Sequence, residues 1–124
     1  MRVLVLADDL IWSTRLIAQV QAAGADGAPV RTLSAMNQAL PAAEAVIVDL
    51  TAMAYDGIVA VRKAAEAGRR VLAVGQHDDA ELRRRALAAG AERVYPYRKL
   101  FDDGPATLAG WLAGGAQPAA GTRP

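Results

Sequence analysis

The sequence predicts an α/β fold, a doubly wound sandwich in which a parallel sheet carries helices on both faces. Three observations lead there. The runs "RVLVLA" at 2–7, "AVIVDL" at 45–50 and "RVLAVG" at 70–75 are continuously apolar, without the alternation of a half-solvated strand, and read as strands buried on both sides. Strand-like and helix-like segments alternate five times with short connections, and right-handed crossovers then place helices on both faces. With 124 residues and 53% hydrophobic composition the chain has one domain's length, enough for a core that needs no staples.

The elements follow in order. After the first strand, Ser13, Leu16, Ile17 and Val20 recur at helical spacing, which predicts a helix over 10–23 ending near Gly24. "APVRTL" at 28–33 is a weaker strand because Arg31 interrupts it. "SAMNQAL" at 34–40 starts on Ser34 as an N-cap and is stopped by Pro41, so it makes a short helix. The third segment leads into a helix over 56–68 with Ile58, Val61 and Ala65 inward and Gly68 at its end. After the fourth, Asp78 or Asp79 caps a helix over 80–90 with Leu82, Ala86 and Ala89 inward and Arg83, Arg84 and Arg85 in solvent. "ERVYPY" at 92–97 is a short strand that Pro96 confines to a sheet edge. "GPATLAGWLAG" at 104–114 opens with Pro105 at a first helical position and puts Leu108, Trp111 and Leu112 in the core. Residues 1–114 are thus the expected domain, and 115–124, with Pro and Gly and no periodicity, a flexible tail or linker stub.

Composition removes several function classes. Lys plus Arg is 14 against 13 for Asp plus Glu, so the charge gives no reason to expect direct nucleic-acid or anionic-membrane partners. The absence of cysteine excludes disulfides, thiolate catalysis and thiolate metal sites, and fits a reducing cytoplasm. Val3 to Ala7 is too short for a membrane span or a signal-peptide core. There is no glycine-rich phosphate loop and no GxGxxG, and the lone His77 provides neither a catalytic triad nor a convergent ligand set. The reading is therefore a protein that is not an enzyme.

Chemistry in such sheets collects at the carboxyl ends of the strands. Asp8 and Asp9 follow the first strand and Asp49 ends the third. In the flavodoxin-like (βα)5 order 2-1-3-4-5 these strands are neighbours, so three carboxylates face one crevice. Such a group is resolved by a raised pKa or by a hard cation, and Mg²⁺ suits one or two carboxylates with retained waters. Each Asp alone also has a plain alternative, since Asp is a common N-cap.

These residues resemble the receiver domains of bacterial response regulators. Asp8-Asp9 matches the acidic pair, Asp49 the phosphoacceptor, Asp56-Gly57 the Asp-Gly that follows, and "HDDAELRRRALAAGA" at 77–91 the fourth helix with its Gly-Ala; the likeness runs from 2 to about 113. It implies that Asp49 attacks a phosphoryl group carried by a sensor histidine kinase, and that Asp8 and Asp9 hold Mg²⁺ with Asp49 and the backbone carbonyl of Thr51. Two positions depart from the pattern. Gly75 stands where a Ser or Thr hydroxyl is expected, and Tyr97 where a lysine is, with Arg98 or Lys99 brought in only by a bulge near Pro96. The resemblance therefore implies an atypical receiver in two-component signalling, with a homodimer compatible. The alternatives are a phosphorylation-independent pseudo-receiver scaffold and, more remotely, a small flavodoxin-like cofactor-binding protein.

Overall fold

The computed structural model describes residues 1–76 and 78–114. Five strands, β1 (Arg2–Leu6), β2 (Asp26–Val30), β3 (Ala45–Asp49), β4 (Arg70–Gly75) and β5 (Arg93–Pro96), form one sheet in the order β2-β1-β3-β4-β5. Every pairing is parallel. The helices are α1 (Leu10–Ala22), α2 (Leu33–Ala39), α3 (Gly57–Glu66), α4 (Ala80–Ala89) and α5 (Tyr97–Gly114). This is the expected flavodoxin-like doubly wound sandwich, with β1 next to β3. Among the described residues, no helix is long and apolar enough to cross a membrane.

The pleat explains why the inner strands are apolar without alternation. Val3, Val5, Ala45, Ile47, Leu72 and Val74 point to one side, where they meet Trp12, Leu16 and Val20 of α1 and Leu100, Leu108 and Trp111 of α5. Leu4, Leu6, Val46, Val48, Val71 and Ala73 point to the other, against Met36 of α2, Ile58, Val61 and Ala64 of α3 and Ala86 of α4. Each fully buried Leu, Ile or Val contributes about 1.5–3 kcal/mol relative to exposure, so the two layers are the main source of stability.

Three elements differ from the sequence reading. β2 lies at Asp26–Val30 rather than 28–33 because its ladder is set by β1, with Arg2 opposite Asp26 and Leu6 opposite Val30. Pro29 is tolerated there because β2 is an edge strand. α2 is capped by Thr32 rather than Ser34: the Thr32 hydroxyl accepts from the Ala35 amide at 3.0 Å, and Pro41 falls in the 3₁₀ turn Leu40–Ala42 that ends the helix. The largest difference is in α5, where the expected helix from 104 is preceded by an unforeseen helical segment that begins at Tyr97, directly after β5. Asp103 interrupts it with a non-helical φ of −153° and ψ of 44°, two residues before Pro105, whose ring cannot follow an unbroken helix. The extra segment is anchored by the fully buried Leu100, whose carbonyl accepts from Gln19 Nε2 at 2.7 Å. The far end of α5 is tied to β4 through Arg70, which donates to the carbonyls of Trp111 at 2.7 Å and Leu112 at 3.1 Å while paired with Glu92. The 115–124 tail and the expected loop position of His77 lie outside the described residues.

Candidate functional site

Asp49 is the last residue of β3 and is 4% exposed, the one buried carboxylate among the described residues. Its Oδ1 accepts from the Thr51 amide and the Thr51 hydroxyl, both at 3.1 Å, and from the Tyr97 hydroxyl in a short hydrogen bond. The Tyr97 and Thr51 hydroxyls also touch each other. Two hydroxyl protons thus serve three oxygen–oxygen contacts around a carboxylate, and at most two of these are hydrogen bonds at one time. No hydrogen bond from the described residues reaches Asp49 Oδ2.

The other residues are placed by the turns after β1 and β3. Asp8 Oδ2 accepts from the amides of Met53 at 2.8 Å and Ala54 at 2.9 Å, so it ties the β3–α3 loop to the turn after β1. Asp9 takes the alternative role foreseen for one of the pair: it caps α1, its Oδ1 accepting from the Trp12 amide at 2.9 Å. The Tyr55 hydroxyl reaches the carbonyls of Leu6 and Asp49, both at 2.8 Å, stitching β1 and β3 where the site begins.

Asp56-Gly57 is explained by two separate demands. Asp56 caps α3, accepting from the amides of Ile58 at 2.9 Å and Val59 at 3.2 Å. Gly57 lets the helix start close to the strand, since a Cβ there would lie 2.8 Å from Leu50 Cα.

The two divergent positions lie at strand ends, Gly75 on β4 and Tyr97 directly after β5. Gly75 ends β4 opposite Pro96, one register step beyond the Asp49–Val74 pair, and brings no hydroxyl. Tyr97 reaches Asp49 without a bulge at Pro96. Arg98 and Lys99 are exposed and line a separate hollow with Pro96, Asp102 and Asp103, so neither stands in for the expected lysine in this structure.

Asp8, Asp9, Asp49, Thr51 and Tyr97 share an open pocket of about 470 Å³ with Ile11, Trp12, Arg15 and Phe101. The last four were not foreseen. Trp12 meets Tyr97 edge-on and packs against Phe101, both with ring centroids 5.1 Å apart, and the Arg15 guanidinium lies 4.2 Å over the Phe101 ring. The signal available in the sequence was their position, one helical turn or so beyond strand ends. Burial raises the pKa of the Tyr97 hydroxyl, helped by its bond to Asp49; burial, then the charges of Asp49 and Asp8, raise that of Tyr55. Both phenols are neutral donors at ordinary pH.

Among the described residues no group of three carboxylate or imidazole side chains is placed to hold a metal ion. Mg²⁺ asks for less than that, one or two carboxylates with retained waters. Asp8 and Asp49 line the same pocket, and their oxygens Oδ1 and Oδ2 respectively take no hydrogen bond from the described residues, so the hard oxygen donors there suit such an ion.

No protein-family model and no curated protein matches the chain. Solved structures do. The receiver domain of a DNA-binding response regulator (merR) from Colwellia psychrerythraea 34H superposes with a TM-score of 0.77 at 18% identity, over 91% of this chain and 98% of that one. A BeF3-activated DrrB receiver domain gives 0.75 at 18%, over 90% and 93%. A response regulator from Burkholderia pseudomallei, solved with a phosphorylated aspartic acid, a calcium ion and citrate, gives 0.69 at 14%, over 90% and 72%. At such identities the likeness establishes the fold, and the fold of this chain is that of response-regulator receiver domains.

Proposed function

We propose that the chain is an atypical receiver-like module of two-component signalling, acting through protein contact, with Asp49 as the acceptor of a phosphoryl group from a sensor histidine kinase. One observation carries the reading: a buried strand-end carboxylate has one oxygen fixed by three donors, while its other oxygen takes no hydrogen bond from the described residues and the residue lines an open pocket. In the transfer, Asp49 forms the new P–O bond as the donor's P–N bond breaks. The electron pair leaves on the imidazole nitrogen, which takes a proton from solvent. The protein's part is positioning and charge neutralisation. Thr51 and Tyr97 orient the carboxylate, and the Asp8 clamp fixes the path of the β3–α3 loop beside it. Asp8, Asp49 and the Thr51 carbonyl, with Asp9 nearby, are the residues that would hold Mg²⁺, which when bound offsets phosphate charge.

Labelling with a radioactive small phosphodonor such as acetyl phosphate in the presence of Mg²⁺ tests the reading. Label on the parent that is lost in Asp49→Asn supports it. Absence of label, or equal label on Asp49→Asn, removes it. Tyr97 on Asp49 and the missing hydroxyl at Gly75 favour a second reading, a phosphorylation-independent scaffold. That one predicts a partner affinity indifferent both to the phosphodonor and to Asp49→Asn.

A further inference from the structure

We infer that Tyr97 is a latch whose hydroxyl holds one oxygen of Asp49 in competition with a divalent cation; the inference rests on the reading of Asp49 given above. A lysine here would carry charge to a phosphoryl group. A phenol brings none, and instead satisfies the bare carboxylate as a neutral donor. Oδ1 also takes both the amide and the hydroxyl of Thr51, so a cation at the open Oδ2 meets a carboxylate whose charge these donors already draw on, and one that engages Oδ1 as well must displace them.

The latch is braced from behind. The Tyr97 ring stands edge-on to Trp12, which is 8% exposed, and Trp12 leans on Phe101, itself under the Arg15 guanidinium. Removing the hydroxyl's partner frees the ring to leave Trp12. Occupancy of Asp49 is thereby transmitted to the α1–α5 side of the molecule, where Phe101 is 49% and Ile11 75% exposed. The β4 side has no hydroxyl to carry the same message, because Gly75 stands at its end.

Tyr97→Phe keeps the ring and removes only the hydroxyl. Mn²⁺ alone, followed by the electron paramagnetic resonance of the free ion, should bind this variant about tenfold more tightly than the parent, the scale of one lost hydrogen bond to a charged group. Equal or weaker binding overturns the competition. A double-mutant cycle of Tyr97→Phe with Asp49→Ala, or with Asp49→Asn if the alanine variant does not fold, should be non-additive by about a factor of ten in the unfolding constant, as contacting residues are. Additivity overturns the latch and leaves the phosphoacceptor reading standing. Mn²⁺ bound by neither chain overturns the competition together with the metal part of that reading.

Discussion

Gly57→Ala should destabilise the protein, although alanine is ordinarily the better helix residue. An ideal Cβ at Gly57 would lie 2.8 Å from Leu50 Cα, 3.0 Å from its carbonyl oxygen and 3.2 Å from its carbonyl carbon. All three are backbone atoms of the residue after Asp49, so no side chain can rotate away. Overpacking of this kind costs about 1–3 kcal/mol, and the preference of a helix for alanine over glycine returns at most about 1 kcal/mol. The net loss is about 1–2 kcal/mol. With a urea m-value of about 2 kcal/mol/M, the midpoint of denaturation should fall by roughly 0.5–1 M at unchanged slope. Gly110→Ala is the control, since it lies within α5 with nothing within 4 Å of its added Cβ. It should gain about 0.5–1 kcal/mol. A Gly57→Ala variant as stable as the parent, beside a stabilised Gly110→Ala, would refute the close approach of α3 to Leu50.

The remaining predictions concern the residues that hold the site's frame. Asp56→Ala removes the α3 cap and should cost about 1 kcal/mol in urea unfolding, with Asp56→Ser recovering most of it; equal stability of all three chains would contradict the cap. Tyr55→Phe leaves the Leu6 and Asp49 carbonyls without their buried donor and should cost about 1–3 kcal/mol, read by the same denaturation. The pH dependence follows from the raised pKa of Tyr55 and Tyr97, both of which are neutral when protonated. The contribution is complete below the unfolded tyrosine pKa of about 10 and is lost as pH climbs above it, so alkaline unfolding should coincide with tyrosine ionisation at 295 nm. Tyrosine ionisation completed well before unfolding would contradict the burial of these hydroxyls.

How far the sequence discloses the molecule depends on what surrounds each segment. β1, β3 and β4 are legible because helices cover both of their faces and leave no polar alternation to blur the pattern. β2 was displaced because its first residues, Asp26 and Gly27, carry no strand signal; the partner strand, not their own chemistry, places them. The start of α5 was hidden for a similar reason. Tyr97 follows β5 without a loop, and the run to Asp103 has a single fully buried anchor, Leu100, beside an exposed Phe101 and four exposed charged residues. In the site, the strand ends were enough to bring Asp8, Asp9 and Asp49 to one pocket, and the resemblance to receiver domains added Thr51 and Tyr97. They could not say which of Asp8 and Asp9 caps α1, that Asp8 clamps the β3–α3 loop, or that a phenol would turn toward Asp49. Those are matters of rotamer and loop path, which spacing does not encode.

The most direct test of the account is a beryllofluoride titration with and without Mg²⁺, followed by backbone amide resonances. The account predicts a saturable, Mg²⁺-dependent perturbation centred on the turns after β1 and β3 and on Tyr97, absent from Asp49→Asn. An unperturbed spectrum at saturating beryllofluoride and Mg²⁺, or the same perturbation in Asp49→Asn, would contradict it.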